Sequence, residues 1–407
     1  MSFAQFDLDP RLHNNVRALG FERPTPIQIA GVPEALKGHD ILGSAETGTG
    51  KTAAYLLPIL QRLLVAPDRP GAIRALIMVP TRELALQVVD HAKQLSRHTR
   101  LRVAAIYGGV GYTDQEQALR SGADIIIATP GRLLDHVERR TVAFGALQVL
   151  VLDEADRMLD VGFLPDIRRV VRLLPRDRQT MLFSATLGPI LGLAAEVTRR
   201  PVRIEVETAA APDVIAQTFF PVPEHLKFQV LEKLLHEDGT DSVLIFTRTK
   251  HRADRLAKNL QRARIDARVI HGNRSQSQRI AALEAFRRGR SRVLVATDIA
   301  ARGIDVEGVS HVINYDMPMQ AEDYVHRIGR TGRAQAAGQA YTLVTPVDER
   351  MVQRIEAILK QKIQRRKIDG IDYHKPALNM PDAEAIRRYV EANRRKNPQA
   401  APARSAA

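Results

Sequence analysis

Cysteine is absent from the 407-residue chain, which excludes disulfide bridges and thiolate metal sites and fits a reducing compartment. Also absent is any apolar run approaching the roughly 18 residues that a membrane-crossing helix needs. The opening Met1-Ser-Phe-Ala-Gln-Phe-Asp-Leu-Asp-Pro10 lacks the basic-then-apolar pattern of a signal peptide. Secreted, disulfide-stapled and membrane-spanning classes are therefore set aside. A cytoplasmic protein without a membrane partner is expected.

What the chain has is length and positive charge. At 407 residues it exceeds the size at which single cores stop growing, so two domains and a tail are expected. A hydrophobic fraction of 44% supports folding through most of that length. The net charge of +14 calls for a polyanionic partner, of which nucleic acid is the commonest. Within residues 360–407, twelve Lys or Arg stand against five Asp or Glu, a net +7 and half of the total. A generic solubilising surface explains this clustering poorly.

Chemistry gathers where short apolar runs end. Residues Val149 to Leu152 form a continuous apolar run, as in a strand buried on both faces of a parallel sheet, and are followed by Asp153, Glu154 and Asp156. Carboxylates at the C-terminal edge of such a strand lie where open α/β sheets place their ligands. One of them can hold magnesium and its neighbour can orient a water. A polar strand cap leading into an acidic helix start is the plainer alternative. Upstream, residues 40–44 read as a strand, followed by Ala45-Glu-Thr-Gly-Thr-Gly-Lys-Thr52 and a helix over 53–64. Strand, glycine loop and helix form the phosphate-loop context. Gly48 and Gly50 let backbone N–H groups turn toward phosphate oxygens; Lys51 would reach the β- and γ-phosphates and Thr52 would ligate magnesium. The usual first glycine of this loop is Ala45 here.

Ahead of the loop, Leu12, Val16 and Leu19 mark an amphipathic helix stopped by Gly20. In Phe21-Glu-Arg-Pro-Thr-Pro-Ile-Gln28, Pro26 suits the first turn of a helix. The Gln28 amide can both donate and accept, as the edge of an adenine demands, and Phe21 suits stacking on the base. Taken singly, Gln28 reads as a surface glutamine and Phe21 as a core residue.

Apolar runs at 73–79, 103–107, 125–128, 149–152 and 181–183 alternate with helical segments, the rhythm of a doubly wound parallel sheet. Their ends read Pro80-Thr-Arg-Glu83, Tyr107-Gly-Gly109, Thr129-Pro-Gly-Arg132, Asp153-Glu-Ala-Asp156 and Ser184-Ala-Thr186. Five such turns from one sheet suit a long polyanion lying across its edge. Small polar residues at 207–213 read as an interdomain linker. A second set of runs at 243–247, 267–270, 293–297, 309–315 and 340–344 predicts another α/β sheet facing the first across a cleft. It carries Ala296-Thr-Asp-Ile-Ala-Ala-Arg-Gly-Ile-Asp305 and His326-Arg-Ile-Gly-Arg-Thr-Gly-Arg333. Glycines cost a helix about 1 kcal/mol each relative to alanine, a cost that makes sense where arginines must approach an anion closely. A structural ion-pair network is the alternative.

With these motifs in hand, the chain resembles the DEAD-box ATP-dependent RNA helicases of superfamily 2, a family named for the run at Asp153 to Asp156. The resemblance spans roughly residues 3–347, with the motifs in order. Met1-Ser-Phe3, Pro24-Thr-Pro-Ile-Gln28 and the basic tail look most like the bacterial RhlE-type branch. The resemblance implies two tandem RecA-like domains, ATP and Mg2+ as cofactors and RNA as partner. It puts Phe21, Arg23 and Gln28 in an adenine-reading loop, with Phe3 as an upstream aromatic. Ala45, Glu46, Thr47, Gly48, Thr49, Gly50, Lys51 and Thr52 would surround the phosphates, and Asp305 would contact the ribose. Asp153 would hold magnesium through water, Glu154 would polarise the attacking water, and Arg330 and Arg333 would be arginine fingers. Asp156, Ser184, Thr186 and His326 would couple nucleotide state to domain closure. Thr81, Arg82, Gly109, Thr129, Gly131 and Arg132 would line the RNA path on the first domain, continued by Arg248, Arg279, Thr297 and Gly303 on the second. One departure is Glu46, where many members carry glutamine; its negative charge near the phosphates bears on nucleotide affinity rather than on function.

The expected division is a first domain over 1–207, a linker over 208–213, a second domain over 214–370 and a basic, partly disordered tail over 371–407. The expected activity is RNA-stimulated ATP hydrolysis coupled to local unwinding of short duplexes or remodelling of RNA–protein complexes, through a closure that bends one strand. An ATP-gated RNA clamp with little unwinding carries the same motifs. A DNA translocase is disfavoured by Thr129-Pro-Gly-Arg132 together with Gln28. The family implies a monomer working on ribosomal or RNA-decay complexes. Residues 382–396 read as a helix with acids early and bases late, 397–407 as disordered, and the tail as a source of sequence-independent RNA affinity.

Overall fold

Two seven-stranded parallel sheets, each flanked by helices, make up the computed structural model, which describes residues 2–45, 49–67, 71–206, 215–237, 240–298, 309–332 and 338–375. The first sheet holds β1 (Ile41–Ser44), β2 (Ala75–Met78), β3 (Val103–Ile106), β4 (Ile125–Ala128), β5 (Val149–Leu152), β6 (Gln179–Ser184) and β7 (Val202–Glu205). Their order is β3-β4-β2-β5-β6-β1-β7, every pairing parallel. The second holds β8 (Ile215–Pro221), β9 (Val243–Thr247), β10 (Ala267–Ile270), β11 (Val293–Thr297), β12 (His311–Asn314), β13 (Gly338–Val344) and β14 (Gln364–Arg365), in the order β10-β11-β9-β12-β13-β8-β14. The two sheets therefore share one topology, counted from β1 and from β8. The α/β fold with tandem doubly wound sheets agrees with the expectation.

The central strands are apolar on both faces because helices cover both. In β2, Ala75 and Ile77 join the core on one side of the sheet while Leu76 and Met78 join the core on the other. This is the period of two that strand geometry imposes. Helices α1 (Pro10–Ala18), α2 (Pro26–Leu36), α3 (Lys51–Val65), α4 (Arg82–Leu95), α5 (Thr113–Arg120), α6 (Pro130–Glu138), α7 (Ala155–Asp160), α8 (Leu164–Arg172) and α9 (Leu191–Val197) belong to the first half. The second half adds α10 (Lys227–Leu234), α11 (Lys250–Arg262), α12 (Gln276–Arg287), α13 (Ala321–Ile328) and α14 (Glu349–Leu359).

Runs at 125–128, 149–152, 243–247, 267–270 and 293–297 coincide with observed strands, while the run at 73–79 shrinks to β2. Three strands had no expected counterpart: β7, β8 and β14. β7 reads Val-Arg-Ile-Glu and sits at the sheet edge, where one face needs no apolar side chain; β14 is a two-residue edge strand. The helix expected over 53–64 begins two residues earlier, which puts Lys51 and Thr52 in its first turn.

Candidate active site and nucleic-acid cleft

Two cavities open between the sheets at the C-terminal ends of the strands. The smaller, about 40 Å³, is lined by Lys51, Glu154, Asp156, Arg157, Asp160 and Ala185 from the first half and by His326 and Arg330 from the second. That volume holds about one water or two.

Each wall is positioned by a strand or helix end. Lys51 opens α3, and Gly50 ahead of it has φ +90°, a conformation glycine adopts without strain. A Cβ at Gly50 would also collide with the Gln28 amide, so both the turn and the close approach require glycine there. Asp153 follows β5 and is 3% exposed. Its Oδ2 accepts a hydrogen bond from the Tyr55 hydroxyl at 2.9 Å, and its Oδ1 accepts from the Glu154 N–H at 2.9 Å. Burial pushes the Asp153 carboxyl up to about 6, against the pull of Lys51 and with the added repulsion of Glu154. Glu154 has the left-handed backbone φ +50°, ψ +51°, which costs about 1–3 kcal/mol outside glycine and aims its carboxylate into the cavity. Burial alone would raise the Glu154 carboxyl, but Arg157, Lys51 and Arg330 hold it below its usual value. Arg157 Nη1 donates to Glu154 Oε2 at 2.7 Å.

Asp156 is the tie between β5 and β6. Its Oδ2 accepts from the Ala185 N–H at 3.1 Å and from the Thr186 N–H and hydroxyl at 3.0 Å each. Its own N–H donates to Ser184 Oγ at 3.3 Å, and that hydroxyl donates to the Thr186 carbonyl at 2.7 Å. Asp156, Ser184 and Thr186 are thus one hydrogen-bonded unit bordering the cavity.

The Gln28 and Phe21 expectations reverse when each is read singly. Gln28 is 4% exposed, because its Oε1 accepts from the Thr25 N–H at 2.9 Å and its Nε2 donates to the Gly50 carbonyl at 3.0 Å. One proton and one lone pair of that amide remain for a ligand. Phe21 is 37% exposed rather than in the core, stacked on buried Phe3 with ring centroids 6.2 Å apart.

The second cavity, about 320 Å³, is lined by Thr81, Arg82, Thr129, Gly131, Arg132 and Arg279, with Pro80, Glu83, Gly108, Phe163 and Gly272 around them. Thr81 and Thr129 precede α4 and α6, so their helix N-termini face it. Arg132 lies over the Tyr112 ring at 4.1 Å and donates to the Val110 carbonyl at 2.9 Å, while its Nη1 is buried without a hydrogen-bond partner. Gly109, with φ +79°, leaves the space in which the Arg82 guanidinium sits. Arg279 crosses from the second half to Glu83, with Nη2 and Oε1 3.0 Å apart.

Residues 25–191 match the DEAD/DEAH box helicase family and residues 226–335 the helicase conserved C-terminal domain. The chain is 40% identical over 395 residues to the DEAD-box ATP-dependent RNA helicase CshA of Bacillus licheniformis, covering 97% of this chain and 80% of that one. It is 42% identical over 364 residues to CshA of Listeria monocytogenes, covering 89% and 69%. The chain belongs to the DEAD-box ATP-dependent RNA helicase family.

Among solved structures, this DEAD-box chain matches Saccharomyces cerevisiae Dbp5 bound to RNA and ADP BeF3 with a TM-score of 0.82 and 30% identity, over 96% of this chain and 99% of that one. A DEAD box protein from Methanococcus jannaschii matches with a TM-score of 0.52 and 38% identity, over 90% and 99%.

Of the residues singled out in the sequence, Lys51, Glu154, Asp156, His326 and Arg330 converge on the smaller cavity, and Thr81, Arg82, Thr129, Gly131, Arg132 and Arg279 on the larger. Arg248 and Thr297 line neither: Arg248 is exposed near Asp348, and Thr297 is buried at the end of β11. Glu46, Thr47, Gly48, Gly303, Asp305 and Arg333 lie outside the described residues, as do the linker over 208–213 and the tail beyond 375. Sequence reasoning missed Tyr55, Arg157 and Glu83. Tyr55 stands three residues after Thr52 and Arg157 three after Glu154, so helical spacing was the available signal. Glu83 pairs across the sheets and left no such signal.

Proposed function

We propose that this DEAD-box chain hydrolyses ATP under RNA stimulation and uses the resulting opening and closing of its two halves to unwind or remodel short RNA duplexes locally. The observation that carries this reading is the convergence of Lys51 and Glu154 with Arg330 of the other half on one cavity, beside a second cavity lined by cationic side chains and helix N-termini. ATP enters as the family's cofactor. Asp153 is an oxygen donor whose buried charge lacks full compensation, and among the described residues no group of three acidic or histidine side chains forms a protein-only metal cage. One carboxylate with a hydroxyl and the phosphates themselves is how magnesium is usually held, so Asp153 and Thr52 fit it. Bound there, magnesium would neutralise charge on the transferring phosphoryl group.

In this reading Lys51 draws the phosphates to the start of α3, and Glu154, kept ionised by Arg157 and Lys51, accepts a proton from the attacking water. Arg330, joined by Arg333, meets charge on the departing phosphoryl group from the opposite wall, so hydrolysis is fast only when the halves are together. The Asp156–Ser184–Thr186 unit passes the state of that wall to the neighbouring strand end. RNA phosphates would lie along Thr81, Arg82, Gly109, Thr129, Gly131 and Arg132, continued by Arg279, Arg248, Thr297 and Gly303. The adenine would meet Gln28 with Phe21 and Arg23, and the ribose Asp305.

The arrangement resembles Dbp5 with RNA and ADP BeF3 more than the Methanococcus protein, which supports a closed form. We assign the halves to 1–207 and 214–370, joined by 208–213, with the tail 371–407 adding RNA affinity. A cytoplasmic monomer acting on ribosomal or RNA-decay complexes, of the RhlE-type branch, completes the proposal. No helix among the described residues is long and apolar enough to cross a membrane.

The Glu154→Gln variant tests this reading. RNA-stimulated turnover is expected to fall about a hundredfold or more while ATP and RNA still bind. Retained turnover would remove Glu154 from the chemistry. Loss of ATPase and of unwinding of a short RNA duplex together supports unwinding, whereas wild-type ATPase without unwinding favours the clamp.

A further inference from the structure

A third cavity lies at the opposite edge of the first sheet, against the N-terminal ends of β1 and β6. Its volume is about 490 Å³, and its charged lining consists of Arg172, Arg176, Arg178, Arg199, Asp40 and Glu196. The strands between it and the nucleotide cavity are four to six residues long, so the two are about 13–20 Å apart or more. Nothing in the proposed reaction uses it.

The two carboxylates in this lining are already committed. Asp40 Oδ1 accepts from the Thr180 N–H and Oδ2 from the Arg199 N–H, both at 2.7 Å. Glu196 is held by Arg168 on the adjacent helix, whose Nε donates to Oε2 at 2.8 Å. The arginines are not committed in the same way. Among the described residues, no side-chain hydrogen bond or ion pair is made by Arg172, Arg176 or Arg199. Arg178 donates from Nη1 to the Pro175 carbonyl at 2.7 Å, but its Nε is buried with no hydrogen-bond partner. Burial lowers the Arg178 pKa; Asp40 opposes that shift and neighbouring Arg199 adds to it. Guanidinium groups brought together around a concavity, with the local carboxylates occupied by backbone N–H groups and by Arg168, are an incomplete charge arrangement. Planar forks of this kind match phosphate oxygens two at a time.

We propose that this cavity binds a compact oligophosphate, carrying at least two linked phosphoryl groups, independently of the nucleotide and RNA clefts. Four guanidiniums carry more positive charge than the roughly two negative charges of one phosphate can neutralise, which favours linked phosphates. The volume lies in the range of small-ligand sites, which favours a compact ligand over a long strand.

The test uses the full chain with a non-hydrolysable ATP analogue, Mg2+ in excess and a short single-stranded RNA saturating the other clefts. Inorganic tripolyphosphate is then titrated by calorimetry. One saturable site is expected, weakened about tenfold by Arg178→Ala and by the exposed pair Arg176→Ala/Arg199→Ala, with Arg82→Ala without effect. Basal ATPase and the thermal midpoint of the exposed-pair variant are expected to stay at wild-type values. Guanosine diphosphate in place of tripolyphosphate separates the sources: tighter binding indicates a nucleotide-borne diphosphate, weaker binding a free phosphate chain, and either upholds the site. No saturable binding to the blocked protein, or equal affinity in the exposed-pair variant, overturns it. So does inorganic phosphate binding as tightly as tripolyphosphate, and so does a site filled only by additional RNA.

Discussion

The two sheets share one strand order, yet among the described residues only the first leaves the lysine that follows its first strand without a hydrogen bond or ion pair, and the difference lies in two short turns. In the first sheet, β1 leads through a glycine loop to Lys51 at the start of α3, and β5 is followed by Asp153. In the second, β8 leads to Lys227 at the start of α10, and β12 is followed by Tyr315 and Asp316. The corresponding lysine and aspartate have collapsed onto each other: Lys227 Nζ lies 2.9 Å from the Tyr315 carbonyl, 3.4 Å from Asp316 and 3.3 Å from Glu224. Arg252 adds a second contact to Asp316 at 2.7 Å. The turn Val222-Pro-Glu-His-Leu226 contains no glycine to point N–H groups at an anion, and Glu224 occupies the place of one. In the first sheet, by contrast, the Lys51 ammonium makes no hydrogen bond or ion pair among the described residues, although it is 6% exposed. One topology thus yields an open cavity where no carboxylate reaches the lysine ammonium and a closed structural cluster where one does.

What the second sheet contributes instead is arginine, and the largest expected effect tests that contribution. Arg330 faces Glu154 across the smaller cavity. Arg330→Ala is expected to lower RNA-stimulated kcat about a thousandfold, read in a steady-state phosphate-release assay, with the melting curve little changed. Arg327, three residues earlier, belongs to the structural alternative. Its Nη2 donates to Asp298 at 2.7 Å and its Nη1 to Asn314 at 3.0 Å and to the Asp316 carbonyl at 2.8 Å. An unchanged rate in Arg330→Ala would make both arginines scaffolding.

Next in size is a difference in cost between the two lysines. Lys227→Met leaves Asp316 and the Tyr315 carbonyl short of a buried partner and is expected to cost about 2–3 kcal/mol in denaturant unfolding. Lys51→Met removes an ammonium that makes no hydrogen bond or ion pair among the described residues but whose charge favours the ionised Asp153, Glu154 and Asp156. It is expected to cost less than Lys227→Met in the same measurement, while ATP affinity collapses. Equal losses in both variants would erase the distinction between an open and a closed site.

The parts of this comparison that the sequence displayed are those written in local pattern. Fully buried strands such as β4, β5, β9 and β11 announce themselves as apolar runs, and the loop ending in Lys51 announces its chemistry by glycine spacing. β7, β8 and β14 stayed hidden because an edge or half-polar strand has no such run, and its pairing is decided by a neighbour distant in the chain. For the same reason Gln28 reads as a surface residue until Gly50, 22 positions later, supplies the carbonyl that buries it. The equivalence of Lys227 with Lys51 is legible only once the strand order is known. Composition and spacing do not separate Arg327 from Arg330; the family resemblance does, and in physical terms the difference is where Asp298 and Asn314 lie in space.

A smaller effect follows from Asp153. A folded-state pKa of about 6, above the ordinary carboxyl value, means that the native metal-free protein binds this proton more tightly than the unfolded chain. The resulting stability is complete below about pH 4 and is lost as pH rises through about 6. Magnesium and the proton compete for the ionised form. Apparent Mg2+ affinity is therefore expected to fall about tenfold per unit below pH 6 and to level off above it. A pH-independent Mg2+ affinity between 5 and 6 would remove Asp153 from the metal site.

The smallest expected effect lies where the sheets touch. Glu83 and Arg279 are both nearly buried, and burial together with the like charge of Arg82 lowers the Arg279 pKa, with Glu83 opposing. One carboxylate therefore pairs with Arg279 beside a second guanidinium, Arg82, at a place where an RNA phosphate would serve both. Glu83→Gln keeps an acceptor for Arg279 but removes the competing negative charge. RNA affinity is expected to rise about threefold, and the slope of log K against log salt to steepen by about one phosphate contact. Wild-type affinity and slope would mean that the pair stays intact when RNA binds, and that it holds the two halves together without taking part in RNA recognition.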